Sequence, residues 1–131
     1  MEEGLINKLV QVGIRTMTPH QQEQADRFNV TVIDMKSLPK GLSRLQFDGP
    51  VYISLDLDVL DPAYAPGVSH LEPGGLRTRD VITVIQQLKV PIVGADIVEF
   101  NPLRDINGMT AMVAAKLLKE LADKMLIADG F

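Results

Sequence analysis

Four short apolar runs set the terms for this chain: Leu9–Ile14 (LVQVGI), Val30–Ile33 (VTVI), Val51–Leu57 (VYISLDL) and Val90–Val98 (VPIVGADIV). Each has strand length and is rich in β-branched residues, and the stretches between them carry helical periodicity or turn chemistry. After the first run, Pro19 opens a polar helix over Gln21–Phe28, since a proline near the first turn lacks only an N–H that has no partner there. Met35–Leu45 reads as a short helix or irregular connection broken by Pro39-Lys40-Gly41, and Asp48-Gly49-Pro50 as a turn. Asp61–Gly75, with Pro62, Pro66, Pro73 and the Gly74-Gly75 pair, reads as a loop. Thr78 is expected to cap a helix over Arg79–Lys89, whose stripe is Val81, Ile82, Val84, Ile85 and Leu88. From Gly108 onward, Met112, Val113, Leu117, Leu121 and Met125 space as one face of a long closing helix. Strands interleaved with helices predict right-handed βαβ units, an α/β fold with a parallel sheet between helical layers. The fourth run is apolar almost throughout, as a strand covered on both faces would be. Four strands are few for such a sheet, so one edge is expected to need partners from outside these residues.

Composition narrows the chemistry. The 131 residues hold 46% hydrophobic and 23% charged side chains, which supports a packed core and argues against disorder. The net charge is −4 and the basic residues are scattered, so no nucleic-acid partner is expected. No apolar run is long enough to span a membrane. There is no cysteine, which removes disulfides, thiolate metal sites and a cysteine nucleophile. With only His20 and His70 available, any metal site here must be rich in carboxylates. The acidic opening Met1-Glu2-Glu3-Gly4 argues against a targeting leader, and the lack of cysteine fits a reducing compartment, so a cytoplasmic location is expected.

In open α/β sheets, functional residues gather at the carboxyl ends of strands. Two places here carry them: Ser54-Leu55-Asp56-Leu57-Asp58 after the third strand, and Asp96 to Pro102 after the fourth. On a strand, Ser54, Asp56 and Asp58 would share one face. Neighbouring carboxylates repel unless a cation or a proton intervenes, and hard divalent ions favour such an oxygen-rich setting. The spacing alone also allows a pair of solvated loop acids, or an Asp58 that merely caps a turn.

The run from Ser54 to Gly67 (SLDLDVLDPAYAPG) resembles the S-x-D-x-D-x-x-D-P-[AS]-[FY]-x-P signature of the arginase/agmatinase ureohydrolases. The likeness continues through Glu72-Pro73-Gly74-Gly75-Leu76, then Gly94-Ala95-Asp96-Ile97-Val98-Glu99-Phe100-Asn101-Pro102, which is similar to the family's G-x-D-[IV]-x-E-x-N-P segment. It ends at Met109-Thr110-Ala111 leading into a long helix. The resemblance implies a three-layer α-β-α sandwich with a parallel sheet, residues 1–131 forming the C-terminal part of a single domain. It implies a binuclear manganese centre, two Mn²⁺ per complete site, with Asp56 bridging the ions and Asp58 chelating one. Such a centre makes water a nucleophile near neutral pH, for attack on a guanidinium carbon. By the same likeness Glu99 grips the guanidinium of the substrate through charge-assisted hydrogen bonds. Asp96 is expected to be a buried, hydrogen-bonded acid that supports the site, and Asn101-Pro102 to fix the turn presenting Glu99. Many members carry Gly-Thr-Pro where this chain has Val68-Ser69-His70-Leu71-Glu72-Pro73, a variant similar to plant arginases and bacterial agmatinases. His70 is read as a pocket residue near Glu99, a proton shuttle or guanidinium neighbour, with an ordinary loop histidine the competing reading. His20 is read as a surface residue.

The implied reaction converts agmatine or arginine to urea and an amine, putrescine or ornithine, and the implied assembly is a homo-oligomer, a trimer or hexamer. The family's upstream histidine and D-x-H-x-D metal ligands do not occur in these residues, so the chain is expected to be inactive alone. Two other readings compete. One is a non-catalytic assembly fragment of the same family. The other is a haloacid-dehalogenase-like phosphatase with Asp56 as nucleophile, Asp58 as acid/base and Mg²⁺ nearby; that motif wants Thr or Val and then an apolar residue where Leu60 and Asp61 stand.

Overall fold

The computed structural model describes residues 1–38 and 40–128. Contacts divide the chain into two compact units, Met1–Leu45 and Gln46–Phe131.

The first unit is built on a parallel pair, β1 (Val10–Ile14) and β2 (Thr31–Asp34), joined through α1 (Pro19–Arg27). The helix begins at Pro19, two residues before the expected Gln21. Thr18 Oγ1 accepts the Gln21 N–H at 3.3 Å and Gln21 Oε1 accepts the Thr18 N–H at 2.8 Å, a reciprocal cap with Pro19 at the first helical position. It ends as Asn29 turns into the left-handed region, φ 51°. Ile33 of β2 and Ala25 of α1 are the buried apolar residues here. The expected broken connection is two 3-10 turns, Met35–Ser37 and Lys40–Arg44, with Pro39 outside the described residues.

The second unit carries β3 (Val51–Asp56), α2 (Thr78–Gln87), β4 (Ile92–Val98) and α3 (Met109–Ala128). β3 and β4 pair in parallel with Ser54 opposite Asp96 and Asp56 opposite Val98. The core is formed by Val51 and Leu55 of β3, Val81, Ile82 and Ile85 of α2, Ile92 of β4, and Leu117 and Leu121 of α3. Leu57, Leu60 and Val68 from the connection after β3 are buried with them, which anchors that long connection. α3 packs on both β4 and α2. Gln86 Nε2 donates to Glu120 at 2.8 Å and Lys124 Nζ donates to the Gln86 carbonyl at 3.1 Å, stitching the two helices together.

Three expectations need correction. The strands form two separate two-stranded sheets among the described residues, where one four-stranded sheet was expected. Thr78 is the first helical residue, and the cap lies one residue earlier: Asp80 reaches back to the Arg77 N–H at 3.0 Å while also binding its guanidinium at 2.8 Å. The guanidinium bond is the largest cause holding the Asp80 carboxyl below its ordinary range. On α3, Met112 is 72% exposed and the buried face runs through Thr110, Leu117 and Leu121. Met112 stands about 200° around the helix from Thr110, and the buried hydroxyl at position 110 was invisible to an apolar-stripe reading.

Candidate active site at the carboxyl ends of β3 and β4

β3 ends at Asp56 because the side chain of Asp56 ends it. Its Oδ1 accepts the Asp58 N–H at 2.8 Å and folds Leu57–Val59 into a 3-10 turn. Leu57 plunges into the core at 0% exposure, and Asp58 follows it on the turn. The strand does not continue to Asp58 as expected; a 3-10 turn links the two residues, with the backbone of Asp58 bonded to the carboxylate of Asp56. The Asp58 side chain is 15% exposed, and its Oδ2 lies 2.8 Å from His70 Nδ1. A carboxylate only accepts, so this contact calls for the ring proton on Nδ1.

β4 delivers the third group. Glu99 follows the strand with φ 64°, a left-handed conformation that L residues adopt at a cost of about 1–3 kcal/mol. Asp58, His70 and Glu99 each offer one donor atom, and all three atoms lie within 4.8 Å of one another. Asp56 is not a member of that group of three. His20 lies exposed in the first unit, where it lines a hollow between β1 and α1.

Asp96 locks the two strands in register beneath this group. It accepts the Ser54 hydroxyl at 2.7 Å on Oδ1 and the Tyr52 hydroxyl at 2.9 Å on Oδ2. Bonding to Asp96, more than burial or charge, raises the Tyr52 phenol above its ordinary value. The Tyr52 ring lies across Gly94, its partner in the ladder; a Cβ there would sit 2.9 Å from the ring carbons. Asp96 is half-buried rather than fully buried, and it acts between strands through hydroxyls.

The loop bearing His70 is closed by Asp61. Oδ2 accepts the N–H groups of Gly74 at 2.7 Å and Gly75 at 3.2 Å, and Oδ1 accepts that of Ala63 at 2.9 Å. Backbone bonds Asp61 N to Leu76 O and Leu76 N to Val59 O, each 2.9 Å, close the same neck. Further along, Val68 bridges Phe100 antiparallel, and Gly67 approaches α3 so closely that a Cβ would meet Asp105 and Thr110 at 2.9 Å. The Gly67 N–H donates to the buried Thr110 hydroxyl at 2.7 Å. Asp105 in turn accepts the N–H groups of Thr110 at 2.8 Å and Ala111 at 3.0 Å, anchoring the start of α3. Asn101 Oδ1 accepts the Leu103 N–H at 3.1 Å, fixing the turn after Glu99. Sequence reasoning gave no role to Asp61, Tyr52, Thr110 or Arg104. Asp61 stood inside the quoted signature, and its bonds to Gly74 and Gly75 reach across the loop, where no local pattern points.

Comparison with known proteins decides the kinship: the model of the Arginase family matches residues 1–123. The chain belongs to the arginase family. It is 52% identical over 132 aligned positions to arginase 1, mitochondrial, of Arabidopsis thaliana, covering 95% of this chain and 39% of that protein. It is 41% identical to the mitochondrial agmatinase of Gallus gallus, over 92% of this chain and 39% of that one. The solved structure of the arginase from Medicago truncatula superposes with a TM-score of 0.85 at 46% identity, over 95% of this chain and 42% of that chain. The fold is thus arginase-like α/β, and this chain spans about two-fifths of the length of its curated relatives. Family membership removes the phosphatase alternative. The mitochondrial names of the relatives do not carry the cytoplasmic expectation, and no helix among the described residues is long and apolar enough to cross a membrane.

The donor chemistry suits the family's metal in part. The carboxylates of Asp58 and Glu99 beside the His70 imidazole are an oxygen-rich set of the kind Mn²⁺ favours.

Proposed function

We propose that this chain supplies one side of the active site of a ureohydrolase that splits a guanidino substrate, arginine or agmatine, into urea and ornithine or putrescine. The observation that supports it most is the gathering of Asp58, His70 and Glu99 donor atoms within 4.8 Å, from three separate stretches of sequence. Asp56 and Asp58 would hold manganese, two ions in the complete site, with the remaining ligands from outside these residues. Bound manganese supplies the activation of water that none of these side chains provides. Glu99 binds the planar guanidinium by paired, charge-assisted hydrogen bonds. His70, held through Nδ1 by Asp58, has an unprotonated Nε2 on the far side of its ring, the atom suited to take up a proton from the attacking water and pass it on to the departing amine. Asp96, Ser54 and Tyr52 keep the two strand ends in register, so that Glu99 meets the metal-holding aspartates at a fixed distance.

On this reading residues 1–131 form the C-terminal part of a larger arginase-like domain, which works as a homo-oligomer, trimer or hexamer, on a small-molecule substrate. The chain by itself is expected to release little or no urea with added Mn²⁺. A chimera tests the reading directly. Residues 1–123 should replace the matching segment of the Arabidopsis arginase with Mn²⁺-dependent urea release retained, and Glu99→Gln in that chimera should lower kcat/KM by about a hundredfold or more, as the loss of a charge-assisted pair implies. A correctly folded, manganese-loaded chimera without activity would sink it. That result would favour the second reading, a non-catalytic assembly fragment, which draws on exposed apolar side chains such as Leu103 and Val93.

A further inference from the structure

The His70 ring is 79% exposed, so side-chain packing does not hold it against Asp58. Its position follows from the peptide that carries it. The Gly67 carbonyl accepts the Asn101 N–H at 2.8 Å, and Val68, fully buried, bridges Phe100. Ser69 comes next, immediately before His70. Its carbonyl accepts Arg104 Nη1–H at 3.0 Å, and its hydroxyl accepts Asn101 Nδ2–H at 3.3 Å. Arg104 itself is fixed at the backbone, where its N–H donates to the Asn101 carbonyl at 3.1 Å. Asn101 and Arg104 lie on the turn that begins with Glu99. The turn that sets Glu99 therefore also grips the residue before His70.

We propose that Arg104 is a positioning residue: its guanidinium clamps the Ser69 peptide and so holds His70 on Asp58, in fixed relation to Glu99. A bond from a charged donor to a carbonyl is stronger than a neutral one, and Arg104 is the last side chain to grip the segment before the exposed ring. Cutting the clamp leaves the buried Val68 and the Gly67–Thr110 bond in place, so the loop stays attached while the ring loses its orientation. The catalytic meaning of the clamp rests on the ureohydrolase reading, but its physical content does not.

The test uses the 131-residue chain without metal or substrate, so its outcome is separate from that of the chimera. The two histidines report independently: His70 on the clamp, His20 in the first unit as internal control. Imidazole ¹⁵N spectra, taken at a pH where both rings are neutral, should show His70 with its proton mainly on Nδ1. In Arg104→Ala the ratio of Nδ1–H to Nε2–H at His70 should fall about two- to tenfold, the change expected from losing one hydrogen bond's worth of orientation. His20 should not move, and Arg104→Lys, which still donates to the Ser69 carbonyl, should restore most of the wild-type pattern. Arg27→Ala, which removes a cation from the first unit, should leave His70 unchanged. An unmoved His70 signal in Arg104→Ala overturns the proposal. So does a change that His20 shares, or one that Arg104→Lys fails to restore, since either would reflect general loss of structure rather than a clamp.

Discussion

The two parallel strand pairs of this chain solve the same connection problem differently. Between β1 and β2 the crossover is a capped helix with short turns, and among the described residues the ends of those strands contribute nothing to the group of Asp58, His70 and Glu99. Between β3 and β4 the crossover includes the loop from Asp61 to Leu76, tied at its neck by Asp61 and at its far side by Gly67 and Asn101. That loop brings His70 back over the end of β3, where Asp58 waits, and against the turn that bears Glu99. A crossover kept short is a structural device; one that carries a long, fastened loop can also deliver side chains. The comparison holds only if the β3–β4 crossover owes its form to a few specific ties, and substitutions can show whether it does.

The largest effect is expected from Leu57→Ala. Leu57 is wholly buried at the turn that separates Asp56 from Asp58, and its truncation should cost about 2–5 kcal/mol of stability, read from urea unfolding. Asp61→Ala comes next. It removes the acceptor for three backbone N–H groups, so the amides of Gly74 and Gly75 should exchange faster by an amount matching about 1–3 kcal/mol, with α1 untouched. Thr18→Ala should be smallest, about 0.5–2 kcal/mol, confined to the amides of α1 and silent at His70. A Thr18 effect that spread to the His70 loop, or an Asp61 effect that reached α1, would break the contrast between the two crossovers.

The same contrast explains what could be read from the sequence. The elements were legible because their signals are local: Pro19 near the start of α1, the β-branched runs, the stripe of Val81, Ile82 and Ile85. Their misplacements were local too. A side chain from Asp80 outdid Thr78 as the cap, and a buried hydroxyl at Thr110 displaced Met112 from the core face. The site was legible mainly through resemblance, because its contacts span long distances in sequence. His70 meets Asp58 across 12 residues, and Asp96 meets Tyr52 across 44. No periodicity encodes such pairings. Nor could strand alternation foresee that Asp56 would use its own carboxylate to stop the strand, which put Asp58 on a turn.

Asp58, His70 and Glu99 gather at one place, and on the ureohydrolase reading manganese would bind there. Adding Mn²⁺ in small steps to the 131-residue chain and following the imidazole proton signals tests this most directly, because paramagnetic broadening marks whichever histidine lies near the ion. The prediction is early, selective broadening of His70, with His20 staying sharp and with the selectivity abolished by Asp58→Asn. Equal broadening of both rings, or a broadened His20 beside a sharp His70, would contradict it.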